Sequence, residues 1–338
     1  MSEPTSELAL PRGWQGVALR ALLGGLRVTL WVSPKPTAWV IRQLFVQTGK
    51  QVAATLAREA PPSVSAVINE SYDDSPEARL DVYSPPGAGS PLPAVVWTHG
   101  GAFVGGSKEE ISDCLRMMAA SGLIVVGVEY SRAPGATYPT PVRQLMAALR
   151  HLHANAGRLH IDLDQIMLAG DSAGAHITAQ VAATVTNPRY GEQVGVTPTI
   201  EARQLRGVAL CCGVYDLGTL VNPDSPFKDV VRAVGWAYSG SRDYRNDERF
   251  LSSTAVIRHV SEAFPPTFIT AGNADPLLPQ SLAMVAALES KGIPVETLFY
   301  PDDHRPPLGH EYQFNVSLAD GRAALERLTT FFQACIRA

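Results

Sequence analysis

At 338 residues the chain is long enough to bury a large core without disulfide or metal staples. It is 46% hydrophobic and 18% charged, an ordinary globular balance that excludes a disordered tail protein. The formal net charge of -4, with no block of basic residues, excludes the electrostatic footprint of a nucleic-acid-binding protein.

The chain opens with Glu3 and Glu7 instead of a basic run, and no small-residue cleavage site follows, so no signal peptide is expected. Residues 14–32 come nearest to a membrane span but contain Arg20 and Arg27. Each would cost roughly 2.5–3.5 kcal/mol near a bilayer centre. Spaced seven apart, they share one face of an amphipathic helix with a broad apolar side. That side either packs on the protein, burying Leu22, Leu26, Trp31 or their neighbours, or makes weak contact with a membrane surface. The helical pattern of residues 1–62 is broken by Pro34 and Pro36 and closed by Pro61-Pro62.

From Val64 onward strands and helices alternate. Strands are predicted over 64–72, 79–83, 94–98, 123–130, 165–168, 208–212, 267–270 and 295–300. Helical patterns lie over 111–121, 141–155, 175–185, 280–291 and 316–336. Repeated β-α alternation specifies the α/β class, with a mostly parallel, doubly wound sheet of eight strands. Residues 214–264 are too long for a structureless loop and read as a helical insertion. The expected organisation is a cap segment at 1–62, a catalytic core at 63–213 and 265–338, and a cap insertion at 214–264.

The cysteines, at 114, 211, 212 and 335, show no metal-ligand spacing. Cys211 and Cys212 lie in an apolar run and read as buried small hydrophobes. Four scattered thiols suit a reducing compartment, so a cytoplasmic location is expected.

The strongest chemical signal is Gly170-Asp171-Ser172-Ala173-Gly174, between a predicted buried strand and a predicted helix. A sharp strand-to-helix turn there projects a serine hydroxyl at the sheet edge, and the free N–H groups of the helix start favour negative charge. The second signal is His99-Gly100-Gly101-Ala102, directly after the strand at 94–98. Small residues let backbone amides approach a reacting carbonyl oxygen, and with the amide of Ala173 they would form an oxyanion hole. His99 itself is expected to bond within this turn.

The sequence here resembles the bacterial hormone-sensitive-lipase-like esterases. The resemblance rests on His99-Gly100-Gly101-Ala102-Phe103, Tyr130-Ser131-Arg132-Ala133-Pro134, the Ser172 pentapeptide, and Asp275-Pro276-Leu277 after a strand. It covers residue 64 to the C-terminus. It implies an α/β-hydrolase core with a helical cap built from the N-terminal zone and the insertion. Two departures stand out: Ala102 and Ala175 occupy positions where the family usually carries glycine. A backbone donor survives the change at Ala102, whereas the shape of the acyl pocket is put in question.

The acid partner must orient the base and stabilise its charged form. Asp275 follows the strand at 267–270 and gives the chain order Ser, Asp, His of this fold. Asp216 is the rival, and Asp302 and Asp303 read as solvated loop charges. His304 and His310 both lie beyond the last strand, and Gly309-His310-Glu311-Tyr312 is more similar to the family's base motif. His151, His153 and His160 read as surface residues, and His176 falls just inside the helix after Ser172. Phe103, Trp236 and Tyr238 are expected to line the pocket, although an aromatic helix face buried against the core explains the last two equally well.

The implied reaction is hydrolysis of short- to medium-chain acyl esters through an acyl-enzyme. Ser172, Asp275 and His310 form the triad, Gly101, Ala102 and Ala173 the oxyanion hole, and neither metal nor organic cofactor is required. An amidase or acyltransferase would use the same triad. A binding module on a hydrolase fold would normally have lost one triad member. The expected partner is a small-molecule ester and not nucleic acid, with weak membrane-surface contact by the N-terminal helix and a homodimer as further expectations.

Overall fold

The computed structural model describes residues 32–220 and 228–337. Residues 14–31, including Leu22, Leu26 and Trp31, lie outside them. Helix α1 spans Lys35–Leu56. Pro36 falls in its first turn, where the missing N–H leaves no hydrogen bond unmade, so Pro34 and Pro36 mark the start of a helix instead of breaking one.

All eight predicted strands are present, as β1 (Ser65–Ser71), β2 (Arg79–Ser84), β3 (Leu92–Thr98), β4 (Ile124–Val128), β5 (Ile161–Asp171), β6 (Leu205–Cys211), β7 (Thr267–Thr270) and β8 (Val295–Leu298). They form one sheet in the order β1-β2-β4-β3-β5-β6-β7-β8. β1 and β2 pair antiparallel, β2 joins β4 antiparallel, and every later pairing is parallel. Each residue of β4 is buried, as its unbroken Ile-Val-Val-Gly-Val run demands of a strand covered on both faces. β1 is an exposed edge whose register shifts between Val67 and Glu70, an irregularity that discourages edge-to-edge pairing. β5 runs longer than the predicted 165–168. Its first half lies near the surface and carries Asp162 and Asp164, so only the interior half shows an apolar run.

Helices α2 (Ser112–Ala119), α3 (Thr140–Ala154), α4 (Ala156–Leu159), α5 (Ser172–Thr186), α6 (Pro188–Val194), α7 (Lys228–Ser239), α8 (Glu248–Thr254), α9 (Leu278–Glu289) and α10 (Ala319–Arg337) complete the order. Two apolar clusters, one on each face of the sheet, form the core. All of α5 is buried; the Thr178 and Thr186 hydroxyls donate to the Ala169 and Ala182 carbonyls, while Thr184 Oγ1 has no hydrogen-bond partner among the described residues. Among the described residues no helix is long and apolar enough to cross a membrane.

The described part of the 214–264 stretch holds α7 and α8, and α7 meets α1 over the sheet's C-terminal edge. Ala38 and Ile41 of α1 pack with Val104, Ala133 and Ala237. Arg42 fastens this contact: its Nε donates to the Val104 carbonyl at 2.7 Å and its Nη2 to the Ala133 carbonyl at 3.2 Å.

Candidate active site

The residues with reactive side chains gather where β3, β5, β6, β7 and β8 end. β5 delivers Ser172 as the first residue of α5, with φ 51, in the left-handed region. Such a conformation in a non-glycine residue costs ~1–3 kcal/mol and persists only where the surroundings enforce it. Here they do. A Cβ on Gly174 would stand 2.0 Å from the Thr98 carbonyl oxygen, so only glycine lets the helix start press against β3.

His310, from the loop after β8, places Nε2 2.9 Å from the Ser172 hydroxyl oxygen. Its Nδ1 lies 2.9 Å from Oδ2 of Asp275, in the loop after β7. A carboxylate only accepts, so Nδ1 carries the proton and Nε2 is free to accept from the serine. Asp275 is buried, and its Oδ1 accepts from the Leu277 amide at 2.8 Å. The two loops are tied together, since Ala274 N–H donates to the Leu308 carbonyl and Leu308 N–H donates to Asn273 Oδ1, both at 2.9 Å. Burial works against a charged His310, while Cys212 and Asp275 work for it, and the net push on its pKa is upward. Burial keeps the Cys212 thiol protonated, so Asp275 supplies the charge that matters.

The rival groups are engaged elsewhere. Asp216 accepts from the Gly218 amide at 2.9 Å and pairs with Arg258 at 3.3 Å. His304 pairs with Asp320 at 3.2 Å, and Asp302 and Asp303 are exposed. His151 contacts Glu70, and His153 is exposed. His176 is wholly buried and held neutral, its pKa pushed down to about 4 by burial.

The turn after β3 presents backbone amides. Gly101, Ala102 and Phe103 all have positive φ, at 113, 51 and 62. Among the described residues no hydrogen bond engages the amides of Gly101 and Ala102. The Ala173 amide lies in the first turn of α5, where N–H groups have no partner within the helix. The turn is held from behind: Gly100 N–H donates to Asp171 Oδ2 at 2.7 Å, and His99 Nδ1 meets the Gly100 carbonyl at 2.7 Å while its ring stacks on Tyr130.

Residues 95–305 match the family of the alpha/beta hydrolase fold. The chain belongs to that family. This hydrolase is 30% identical to the carboxylesterase NlhH of Mycobacterium tuberculosis over 246 residues, 71% of this chain and 73% of the relative. Among solved structures it is similar to esterase B of Lactobacillus rhamnosis, with a TM-score of 0.76 and 22% identity over 89% of this chain and 96% of that one. A hyperthermophilic esterase from the archaeon Pyrobaculum calidifontis gives a TM-score of 0.72 and 22% identity, over 89% of this chain and 94% of that one. Their likeness is one of fold.

Among the described residues, two cavities reach His310 in this α/β-hydrolase. The first, of about 200 Å³, touches Ser172 and is walled by Phe45, Ala102, Phe103, Val214, Val234 and Leu277. Trp236 and Tyr238 do not border it. Tyr238 is wholly buried and backs Phe103, their rings stacked at 3.8 Å, while Trp236 is half-buried beneath Arg242. Two residues apart on a helix, the side chains point roughly 200° apart, so one face cannot present both. The methyl group of Ala175 is accommodated by Gly213, where an added Cβ would stand 2.8 Å from that of Ala175.

The second cavity, of about 470 Å³, lies beside the glycine turn and is bordered by Gln51, Glu110, Asp171, Glu311 and Asn315. Asp171 also accepts from the Trp97 indole at 2.7 Å. Burial, then the charge of Glu311, pushes its pKa up to about 8. Burial likewise raises Glu110 to about 7. Nothing in the residue pattern marked the Asp171–Glu311 pair, because its members meet only after folding.

That pair gives the fold a pH dependence. The folded protein holds a proton on this carboxyl pair that the unfolded chain has already released. The stabilisation is full below about pH 4 and is lost as pH rises through about 8. Glu311→Gln removes the second charge, so its thermal midpoint is expected to fall less steeply than the wild type's over this window. Parallel melting curves at stepped pH check this, and equal slopes would count against the pair.

Proposed function

We propose that this chain hydrolyses carboxylic esters of short- to medium-chain acids through Ser172, His310 and Asp275. The observation that carries the reading is the unbroken line of hydrogen bonds from serine to imidazole to buried carboxylate, each 2.9 Å long. His310 removes the proton as Ser172 attacks the ester carbonyl, and Asp275 stabilises the imidazolium that forms. The amides of Gly101, Ala102 and Ala173 receive the oxyanion; each such donor typically contributes roughly 2.7–4 kcal/mol to the barrier reduction. His310 then protonates the leaving alkoxide and activates water for deacylation. Retention of all three triad members favours catalysis over a binding role.

The apolar cavity beside Ser172 suits the acyl chain. At roughly 30 Å³ for each group the size of a water molecule, its volume of about 200 Å³ admits about six carbons. Val234→Phe would fill part of it. Activity on hexanoyl esters is expected to fall more than tenfold relative to acetyl esters, measured as kcat/KM over a graded series. An unchanged ratio would place the acyl chain elsewhere.

Residues 1–62 and 214–264 serve as the cap over the core formed by 63–213 and 265–338; the packing of α1 on α7 above the glycine turn supports this division. Four buried free thiols are in keeping with a cytoplasmic enzyme. Val32, Trp39 and Leu44 are exposed, which supports weak membrane-surface contact near the N-terminus or a homodimer through the same face. Vesicle co-sedimentation and solution mass distinguish the two.

A further inference from the structure

We propose that Cys212, Asp275 and His310 together form a binding site for a thiophilic divalent cation, zinc or cadmium, whose occupancy stops hydrolysis. The inhibitory consequence rests on the triad reading; the binding does not.

The geometry comes first. The Cys212 sulfur, a carboxylate oxygen of Asp275 and a ring nitrogen of His310 all lie within 4.8 Å of one another. Around a tetrahedral zinc with bonds of ~2.0–2.3 Å, ligand atoms sit roughly 3.3–3.8 Å apart. Contraction by roughly an ångström therefore closes the site. Among the described residues no other group of three His, Cys, Asp or Glu side chains converges in this way.

The donor set points to the class of ion. Thiolate, imidazole and carboxylate are the ligand types of zinc, and catalytic zinc sites hold three protein ligands with a fourth position open. The sulfur selects zinc or cadmium over magnesium and calcium, which prefer oxygen alone. Binding needs no oxidant. The S–H bond of Cys212 breaks, an S–metal bond forms, and the proton leaves to solvent; where the ion takes Nδ1, the N–H bond there also breaks and its proton moves to Nε2.

The backbone holds the sulfur in place. Cys212 has φ 44, and its amide donates to the Thr270 carbonyl at 2.7 Å, so the residue is pinned beside the end of β7, just before the Asp275 loop. Cys212 and Asp275 are buried, but the His310 side chain is 31% exposed and borders both cavities. A cation enters past the imidazole.

Inhibition follows from the histidine's commitments. Nδ1 is bonded to Asp275 and Nε2 to Ser172. A cation on Nδ1 takes the place of the orienting carboxylate, and one on Nε2 takes the lone pair that accepts the serine proton. Either way the general base is withdrawn.

The test uses the full chain with cadmium or zinc chloride as the probe. Wild-type hydrolysis of an aryl ester is expected to fall more than tenfold and to recover when a chelator is added. Cys212→Ala and Cys212→Ser should each raise the half-inhibitory concentration at least tenfold. Binding is read separately from the ultraviolet sulfur-to-cadmium charge-transfer band. One equivalent per chain is expected in the wild type and in Ser172→Ala, and none in either Cys212 variant. Equal sensitivity of wild type and Cys212→Ser, or a band that persists without Cys212, overturns the proposal. Full activity in Ser172→Ala would instead overturn the hydrolytic reading, leaving the charge-transfer titration to judge the site.

Discussion

Ser172→Ala is expected to lower hydrolysis of simple aryl esters by roughly 10⁵–10⁶-fold while leaving the fold intact. In the proposed mechanism the magnitude follows from removing the atom that forms the acyl-enzyme, with binding and the proposed oxyanion amides left in place. Retention of the fold follows from the backbone: alanine meets the same left-handed cost at φ 51 that serine already bears. Steady-state rates and a thermal melt on the same preparation check both halves. Near-wild-type turnover in a correctly folded Ser172→Ala protein would falsify the assignment of the nucleophile.

The second large effect is expected at His310 and Asp275, the proposed base and orienting acid. His310→Gln should cost about as much as loss of the serine, and Asp275→Asn should cost roughly 10⁴-fold, because the amide favours the wrong imidazole tautomer. The double variant should fall little below His310→Gln alone, since groups that act as a unit do not add. His304→Gln and Asp216→Asn should stay within a few-fold of wild type. Their side chains are engaged by Asp320 and by Arg258 and the Gly218 amide, not by Ser172. A deeper loss in His304→Gln than in His310→Gln would move the base to the other histidine.

Much of this arrangement is legible in the sequence alone. Strand positions followed from short apolar runs, because a parallel strand covered on both faces has little choice of residue. The turn at Ser172 was legible because its glycines are demanded by close approach, as at Gly174 against β3. The outer half of β5 was not legible, since a strand emerging toward solvent takes up aspartates and stops resembling a core element. Helix α6 was missed although Asn187 and Pro188 mark its start, with the Asn187 side chain accepting from the Tyr190 amide. The aromatic residues of α7 gave no sign that this helix borders the cavity with Val230, Val231 and Val234 and not with Trp236 or Tyr238. Cys212 beside His310, and Asp171 beside Glu311, were not legible at all, because long-range pairs leave no local pattern.

The sheet also acts as a ruler. In one row across it Asp171, Cys211, Thr270 and Leu298 stand side by side on β5, β6, β7 and β8. Neighbouring strands are held about 4.8 Å apart by their hydrogen bonds, whatever the length of chain that joins them. The span from Ser172 to His310 is therefore set by a count of strands and not by a count of residues. The segment between β6 and β7, with α7 and α8, can lengthen or shorten without changing that spacing. Variation in substrate choice thus has room in the connections, while the positions of Ser172, Asp275 and His310 stay tied to the lattice beneath them.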